Sequence, residues 1–254
     1  MRRFFADITS EMHYIIMLAE DSNHILNVLR LERGAQIIVC DGNGMDYICE
    51  LSETTKNAVT VRILSSAPCP AEPQTKVTLF QGLPKFDKME LIIQKCVEIG
   101  VSAIVPVITD RTIVKMNGKE AAKVARWQKI CESAAKQAGR GIVPHIGEVV
   151  TFRQCLEMAE LFENKIIAYE NEQELSIKEY LVGAVTFDRS STVKDASARK
   201  FALFIGPEGG FSDKEARAMA DAGITHVSLG KRILRTETAG MAALTAILYE
   251  LGDI

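Results

Sequence analysis

The chain of 254 residues is 47% hydrophobic and 25% charged, which excludes collagen-like, coiled-coil and intrinsically disordered classes. Its 30 Lys and Arg stand against 33 Asp and Glu. The formal net charge of -3 argues at first against a nucleic-acid partner, although a global sum can conceal a local patch.

In chain order, residues 1 to about 67 read as a small β-rich unit. Residues 14–19 are the longest apolar run near the N-terminus, too short for a signal core or a membrane span. Residues 21–33, closed by Gly34, are predicted as a short helix. Residues 36–40 and 58–64 are strand candidates, and Asp41-Gly42-Asn43-Gly44 marks a turn. Residues 67–73 hold three prolines and are predicted as a linker, dividing the chain into domains 1–70 and 74–254.

Beyond the linker, strand and helix alternate. Residues 76–80 are a strand, and 87–99 a helix with Asp87 and Glu90 as a capping box and Gly100 as its stop. A strand at 103–107 precedes a long helix from about 119 to 138, then a strand at 165–168. Residues 182–200 are polar and predicted as a loop, followed by a buried strand at 201–205. Ser212, with Glu215 three residues on, caps a helix ended by Gly223; a strand at 225–229 and a helix at 236–251 complete the chain. The repeated β-then-α units predict an α/β fold, a mostly parallel sheet with helices on both faces.

The six cysteines form no C-x-x-C pair and the four histidines are scattered, so neither a disulfide framework nor a metal site is expected. The chemistry is expected elsewhere. Phe204-Ile205-Gly206-Pro207-Glu208-Gly209-Gly210-Phe211-Ser212 carries a buried strand into three glycines and then a capped helix. Glycines here let a backbone approach a ligand and present N–H groups at a helix start. The segment is neither a P-loop nor a G-x-G-x-x-G loop, and a tight connection with structural glycines is the alternative. In Val227-Ser228-Leu229-Gly230-Lys231-Arg232-Ile233-Leu234-Arg235-Thr236-Glu237-Thr238-Ala239 a second strand ends at a glycine, with arginines following. Loops at the carboxyl ends of parallel strands are where α/β sheets place ligands. Between Arg111 and Arg140, eight basic residues face two acidic ones, a local balance of +6. Wound as a helix, Lys119, Lys123, Arg126, Lys129, Lys136 and Arg140 share one face, suggesting a phosphate backbone as partner against the alternative of a solubilising surface.

The two glycine-bearing segments, in this order and at this separation, resemble the RsmE family of SPOUT-class methyltransferases, which act on N3 of a uridine in 16S ribosomal RNA. The resemblance also takes in Arg3-Phe4-Phe5, His24 with Val28-Leu29-Arg30, Lys85 with Lys95 and Glu98-Ile99-Gly100, and Gln137 with Arg140 and Pro144. It implies a PUA-like β-barrel at 1–70, a methyltransferase domain at 74–254 with a deep trefoil knot, and S-adenosyl-L-methionine as methyl donor. It further implies a homodimer with the active site at the subunit interface, 16S RNA or the small subunit as partner, and a cytoplasmic location with no membrane contact. General topology rules argue against a knot, which comes from the resemblance alone.

By resemblance, Ile205, Gly206, Gly209, Gly210, Leu229, Gly230, Ile233, Leu234 and Thr238 hold the cofactor, with Tyr169 at another strand end lining the same pocket. Arg235 is expected to orient the uracil or stabilise its developing negative charge. Glu237 is the candidate general base, with Glu208 as the alternative; either could instead hold a loop. The expected RNA contacts are Arg3, Arg30, Lys85, Lys123, Arg126 and Arg140. Two other readings stay open on residues alone: an enzyme binding a phosphorylated metabolite, and a non-catalytic RNA-binding module.

Overall fold

The structure, a computed structural model, describes residues 1–9, 11–55, 58–113, 118, 120–190 and 200–254. The chain forms two compact units, Met1–Glu72 with Ala135–Val143, and Pro73–Ala134 with Pro144–Ile254.

In the first unit, β1 (Arg3–Phe5), β2 (Tyr14–Ile16), β3 (Gln36–Cys40), β4 (Met45–Thr54) and β5 (Val59–Pro68) form one sheet in the order β1-β3-β4-β5-β2. Asp41 accepts from the N–H groups of Asn43 and Met45 at 2.8 and 3.1 Å, an Asx turn that folds β4 back on β3. One face of every strand feeds a single core through Phe4, Ile15, Ile37, Val39, Leu51 and Val61, so the sheet curls around it. Pro68, the first proline of the expected linker, ends β5 opposite Met45, a terminal position where sheets tolerate proline. The helix expected at 21–33 is shorter: α1 (Ala19–Asn23) runs into a π-helical turn at His24–Val28. Arg30 then takes φ +52, a left-handed conformation that ends the winding before Gly34.

Two ion pairs order this unit from within. Arg3 grips both oxygens of Asp46 at 2.6 and 2.8 Å. Glu72 accepts from Arg140 Nη2 at 2.9 Å and from the backbone N–H groups of Gly141 and Ile142 at 3.0 Å each, with Arg140 only 3% exposed.

The second unit holds β6 (Lys76–Gly82), β7 (Ala103–Ile108), β8 (His145–Ile146), β9 (Val150–Thr151), β10 (Asn164–Ala168), β11 (Lys200–Ile205) and β12 (Thr225–Val227). Every pairing is parallel, in the order β12-β10-β11-β6-β7-β8, with β9 also on β7. Its helices are α2 (Lys88–Ile99), α3 (Glu120–Ala138), α4 (Phe152–Ala159), α5 (Ile177–Ser190), α6 (Asp213–Asp221) and α7 (Thr236–Glu250); the end of α3 belongs to the first unit. Alternate strand residues address opposite faces. Phe80 and Phe204, paired across β6 and β11, stack at 4.6 Å and pack with Cys155 and Ala159 of α4 and Met219 of α6. Leu79 and Gln81 point to the other face, where Gly240 of α7 leaves them room.

Two local expectations are corrected. Asp87 does not cap α2 through its side chain; the Glu90 N–H meets the Asp87 carbonyl at 3.0 Å, and the Glu90 carboxylate turns to Arg126 at 2.8 Å. Residues 182–190, expected in a loop, continue α5, which starts at a Ser176–Glu179 capping box that the polarity of the stretch obscured. Residues 191–199 of that expectation lie outside the described residues, as do Lys115 and Lys119 of the basic stretch. All six cysteines are free and buried, and burial pushes Cys40, Cys96 and Cys155 up to about 12, so these thiols are not activated nucleophiles. Among the described residues no acidic, His or Cys group is arranged for a metal, and no helix is long and apolar enough to cross a membrane.

Candidate active site

The carboxyl ends of β10, β11 and β12 open into one cavity of about 890 Å³ in the second unit. Cofactor sites have this size and this place in open parallel sheets. Its wall includes Tyr169, Ile205, Gly206, Gly209, Gly210, Leu229, Gly230, Ile233, Leu234 and Arg235, which the sequence places in two distant segments and at one further strand end. Thr238 and Glu237 are not part of that wall.

The loop after β11 owes its shape to glycine. Pro207 O accepts from Gly210 N–H at 2.9 Å, closing a tight turn in which Gly210 takes φ +67. A Cβ on Gly206 would lie 2.9 Å from the backbone of Gly210, and one on Gly210 would lie 2.6 Å from Glu170 Oε1. Gly209 is different: its Cβ would meet only the Arg111 side chain, at 3.3 Å and beyond. Beyond the loop, Ser212 and Glu215 form the expected capping box of α6.

Two residues not anticipated from the sequence hold this loop. Thr236 Oγ1 donates to the Gly206 carbonyl at 2.6 Å, and Gln81 Nε2 donates to Thr236 Oγ1 at 2.9 Å, all of them buried. The available signal was a glutamine at the end of the otherwise apolar β6, since a buried amide needs partners. Arg111 supplies a third tie, donating to the Gly209 carbonyl at 2.7 Å.

The carboxylates divide by role. Glu208 accepts from the Lys85 backbone N–H at 3.1 Å and pairs with Lys88 Nζ at 3.0 Å. Burial pushes its carboxyl up, but hydrogen bonds from the Lys88 ammonium and from the N–H groups of Glu208 and Lys85 outweigh this and hold it below the ordinary glutamate range. It is therefore a loop clamp and a poor proton acceptor. Glu237 sits behind Lys88, with Oε2 3.5 Å from Nζ and no hydrogen bond to that oxygen. Glu237 therefore meets the cavity through its contact with Lys88, which lines the wall. Arg235, exposed at the N-terminus of α7, makes no side-chain hydrogen bond or ion pair among the described residues and faces the cavity with its charge free.

The six expected RNA contacts separate. Arg3 and Arg140 are both held on internal carboxylates, Arg3 part-buried and Arg140 only 3% exposed, so neither offers a phosphate a freely exposed guanidinium. Arg126 is exposed but paired with Glu90. Arg30 is exposed, and Lys85 and Lys123 are half-buried. Trp127, Cys131, Ala134 and Ala135 form the buried face of α3, opposite the basic stripe.

The cavity suits S-adenosylmethionine on its own chemistry. Bare glycine backbone admits close approach, Ile205, Leu229 and Leu234 offer apolar wall, and the Glu170 carboxylate, without a hydrogen bond among the described residues, complements a cationic ligand.

Comparison with known proteins agrees with this architecture. The RNA methyltransferase domain family matches residues 70–248, which defines the chain as an RNA methyltransferase by class. The RNA methyltransferase PUA domain family matches residues 19–64. Ribosomal RNA small subunit methyltransferase E of Bacillus subtilis is 36% identical, covering 98% of this chain and 97% of that protein. The crystal structure of ribosomal RNA small subunit methyltransferase E from Neisseria gonorrhoeae bound to S-adenosyl methionine is 31% identical, covers 98% and 97% of the two chains, and superposes with a TM-score of 0.81. A Legionella pneumophila methyltransferase solved with bound SAM is 30% identical, covers 97% and 96%, and has a TM-score of 0.79. The chain belongs to the ribosomal RNA small subunit methyltransferase E family.

Proposed function

We propose that this chain methylates N3 of a uridine in 16S ribosomal RNA using S-adenosylmethionine, with residues 1–70 as an RNA-binding PUA-like domain and 74–254 as the catalytic domain. The observation that carries the reading is the glycine-walled cavity with the unpaired Arg235 at its edge. When bound, the cofactor supplies a methyl group on a sulfonium. Gly206, Gly210 and Gly230 give it backbone room, Gly209 continues the same loop with its α-carbon turned toward Arg111, and Leu229, Ile233, Leu234 and Tyr169 give it wall. Arg235 orients the uracil and stabilises the negative charge that grows on its carbonyl oxygens as the N3 proton leaves. A uracil edge must leave its helix to reach such a site, so loop or splayed RNA is the reacting form. The reading includes a homodimer in the cytoplasm with the site at the subunit interface, supported by Ile233, which is 87% exposed beside the cavity. It also includes the knot, supported by a chain that steps past β10 to build β12 and returns α7 to pack on α2.

S-adenosylmethionine and S-adenosylhomocysteine are expected to raise the melting temperature, with ATP without effect. Arg235→Ala should lower turnover on 16S RNA by about 100-fold, the scale of one lost charge-stabilising donor, while calorimetric cofactor affinity stays within about threefold. The reverse pattern would reassign Arg235 to cofactor binding. N3-methyluridine should disappear from one 16S position in cells lacking the protein, and its persistence would overturn the substrate.

Lys88 offers a pH test. Because the folded Glu208 value is depressed, its stabilisation is present above the unfolded glutamate value and lost as pH falls through the folded one. Lys88→Met removes the strongest hydrogen bond that lowers it. The acid limb of cofactor affinity, titrated from about pH 3 to 7, should therefore move to higher pH in the variant; coincident curves would show that Lys88 does not hold Glu208.

A further inference from the structure

The first unit carries a second, smaller cavity of about 340 Å³ on the outer face of its sheet, apart from the core. Sheet pairing explains its contents. Tyr14 of β2 lies opposite Arg62 of β5, and Arg62 lies opposite Glu50 of β4, so an aromatic ring, a guanidinium and a carboxylate stand in one row across three strands. Adjacent strands are about 4.8 Å apart, so the outer members stand roughly 10 Å apart, within reach of one stacked base that hydrogen-bonds through its edge. Arg33, exposed beside the left-handed Gly34, closes one end.

Each member is available. Tyr14 is 56% exposed, on a strand whose neighbour Ile15 is buried, so the ring stands outward. Arg62 Nη2 holds Glu50 Oε1 at 3.1 Å, which fixes the carboxylate and leaves Oε2 without a partner among the described residues. The first unit up to residue 73 has six basic residues against ten acidic. With Arg3 held on Asp46, few cations remain for RNA, and two of them meet at this groove.

We infer that this row is a binding subsite for one unpaired guanine nucleotide of an RNA strand, its base stacked on Tyr14, its Watson–Crick edge on Glu50 and its phosphate at Arg33. Aromatic stacking on a sheet face with edge hydrogen bonds is how proteins read splayed single-stranded bases. An ionised carboxylate only accepts, and guanine is the base whose Watson–Crick edge presents two adjacent N–H donors. The single phosphate partner keeps the strand's negative charge at the arginine end and away from Glu50. This subsite rests on the RNA-substrate reading above and adds a contact made by residues other than those of the larger cavity.

The test uses the full chain and labelled five-nucleotide RNAs without uridine, CCGCC and CCACC, followed by fluorescence anisotropy at fixed salt. CCGCC should bind about tenfold tighter than CCACC. Tyr14→Ala should weaken CCGCC about tenfold, the scale of one lost stack, and Tyr14→Phe should bind as the parent does. Glu50→Gln should bring CCGCC down to the level of CCACC. Equal affinity for the two RNAs in the parent, insensitivity to Tyr14→Ala or Glu50→Gln, failure of Tyr14→Phe, or binding of neither RNA would each overturn the subsite. Calorimetry with S-adenosylmethionine on the same samples separates the two readings: a chain that binds the cofactor and methylates 16S RNA without these dependences loses the groove alone.

Discussion

Gly206→Ala is expected to reduce S-adenosylmethionine affinity by about 10- to 100-fold and to lower the melting temperature by about 4–8 °C, read by calorimetry and thermal melting. The new methyl group would sit 2.9 Å from two backbone atoms of Gly210 and 3.1 Å from the Phe211 nitrogen. Backbone cannot swing aside as a side-chain tip can, so the turn between Pro207 and Gly210 must open. It is anchored against opening, because Thr236 and Gln81 hold the Gly206 carbonyl from below. Overpacking of this kind costs about 1–3 kcal/mol, and each 1.4 kcal/mol is tenfold in affinity. Gly209→Ala is the control. Its methyl group meets only the stem of an exposed arginine, so affinity should stay within about threefold of the parent. Equal losses at both positions would mean that the loop is not built as described.

Glu72→Ala should be the most destabilising single substitution, about 3–5 kcal/mol, with a fall in melting temperature of about 10 °C. Glu72 is the buried anchor for Arg140 and for the N–H groups of Gly141 and Ile142. Its removal takes the carboxylate away from a guanidinium that is 3% exposed. The loss is expected chiefly from that weakened pairing of a buried charge, so Glu72→Ala with Arg140→Met should be more stable than Glu72→Ala alone. A double variant no better than the single one would show that the backbone N–H bonds, rather than the charge, carry the cost.

Much of the catalytic unit was legible because local signals agreed. Apolar runs at β6, β7, β10 and β11 alternate with capped helices, and the Ser212–Glu215 box starts α6 as its spacing requires. The cavity wall was legible for a related reason: glycines directly after buried strands mark places where a backbone must be bare. What escaped was non-local. Gln81 and Thr236 are 155 residues apart, and no periodicity links them. Charge counting located basic residues but not their partners, so Arg3 and Arg140 were read as RNA contacts although each faces an internal carboxylate. The inclusion of residues 135–143 in the first unit was equally invisible, since the helix pattern of α3 runs on without a break. Glu237 is adjacent in sequence to the cavity residues Arg235 and Thr236, and its approach to Lys88 was equally non-local.

The Thr236 hydroxyl joins the loop after β11 to the first turn of α7, and Arg235 is its immediate neighbour in the chain. Ordering either loop therefore lowers the entropic cost of ordering the other. Ligands that touch the two loops separately must then raise each other's affinity by the same factor, because such coupling is reciprocal. Under the proposed function, a methyl donor at Gly206 and a nucleotide at Arg235 would be cooperative partners through one 2.6 Å hydrogen bond, with no movement of the surrounding sheet required.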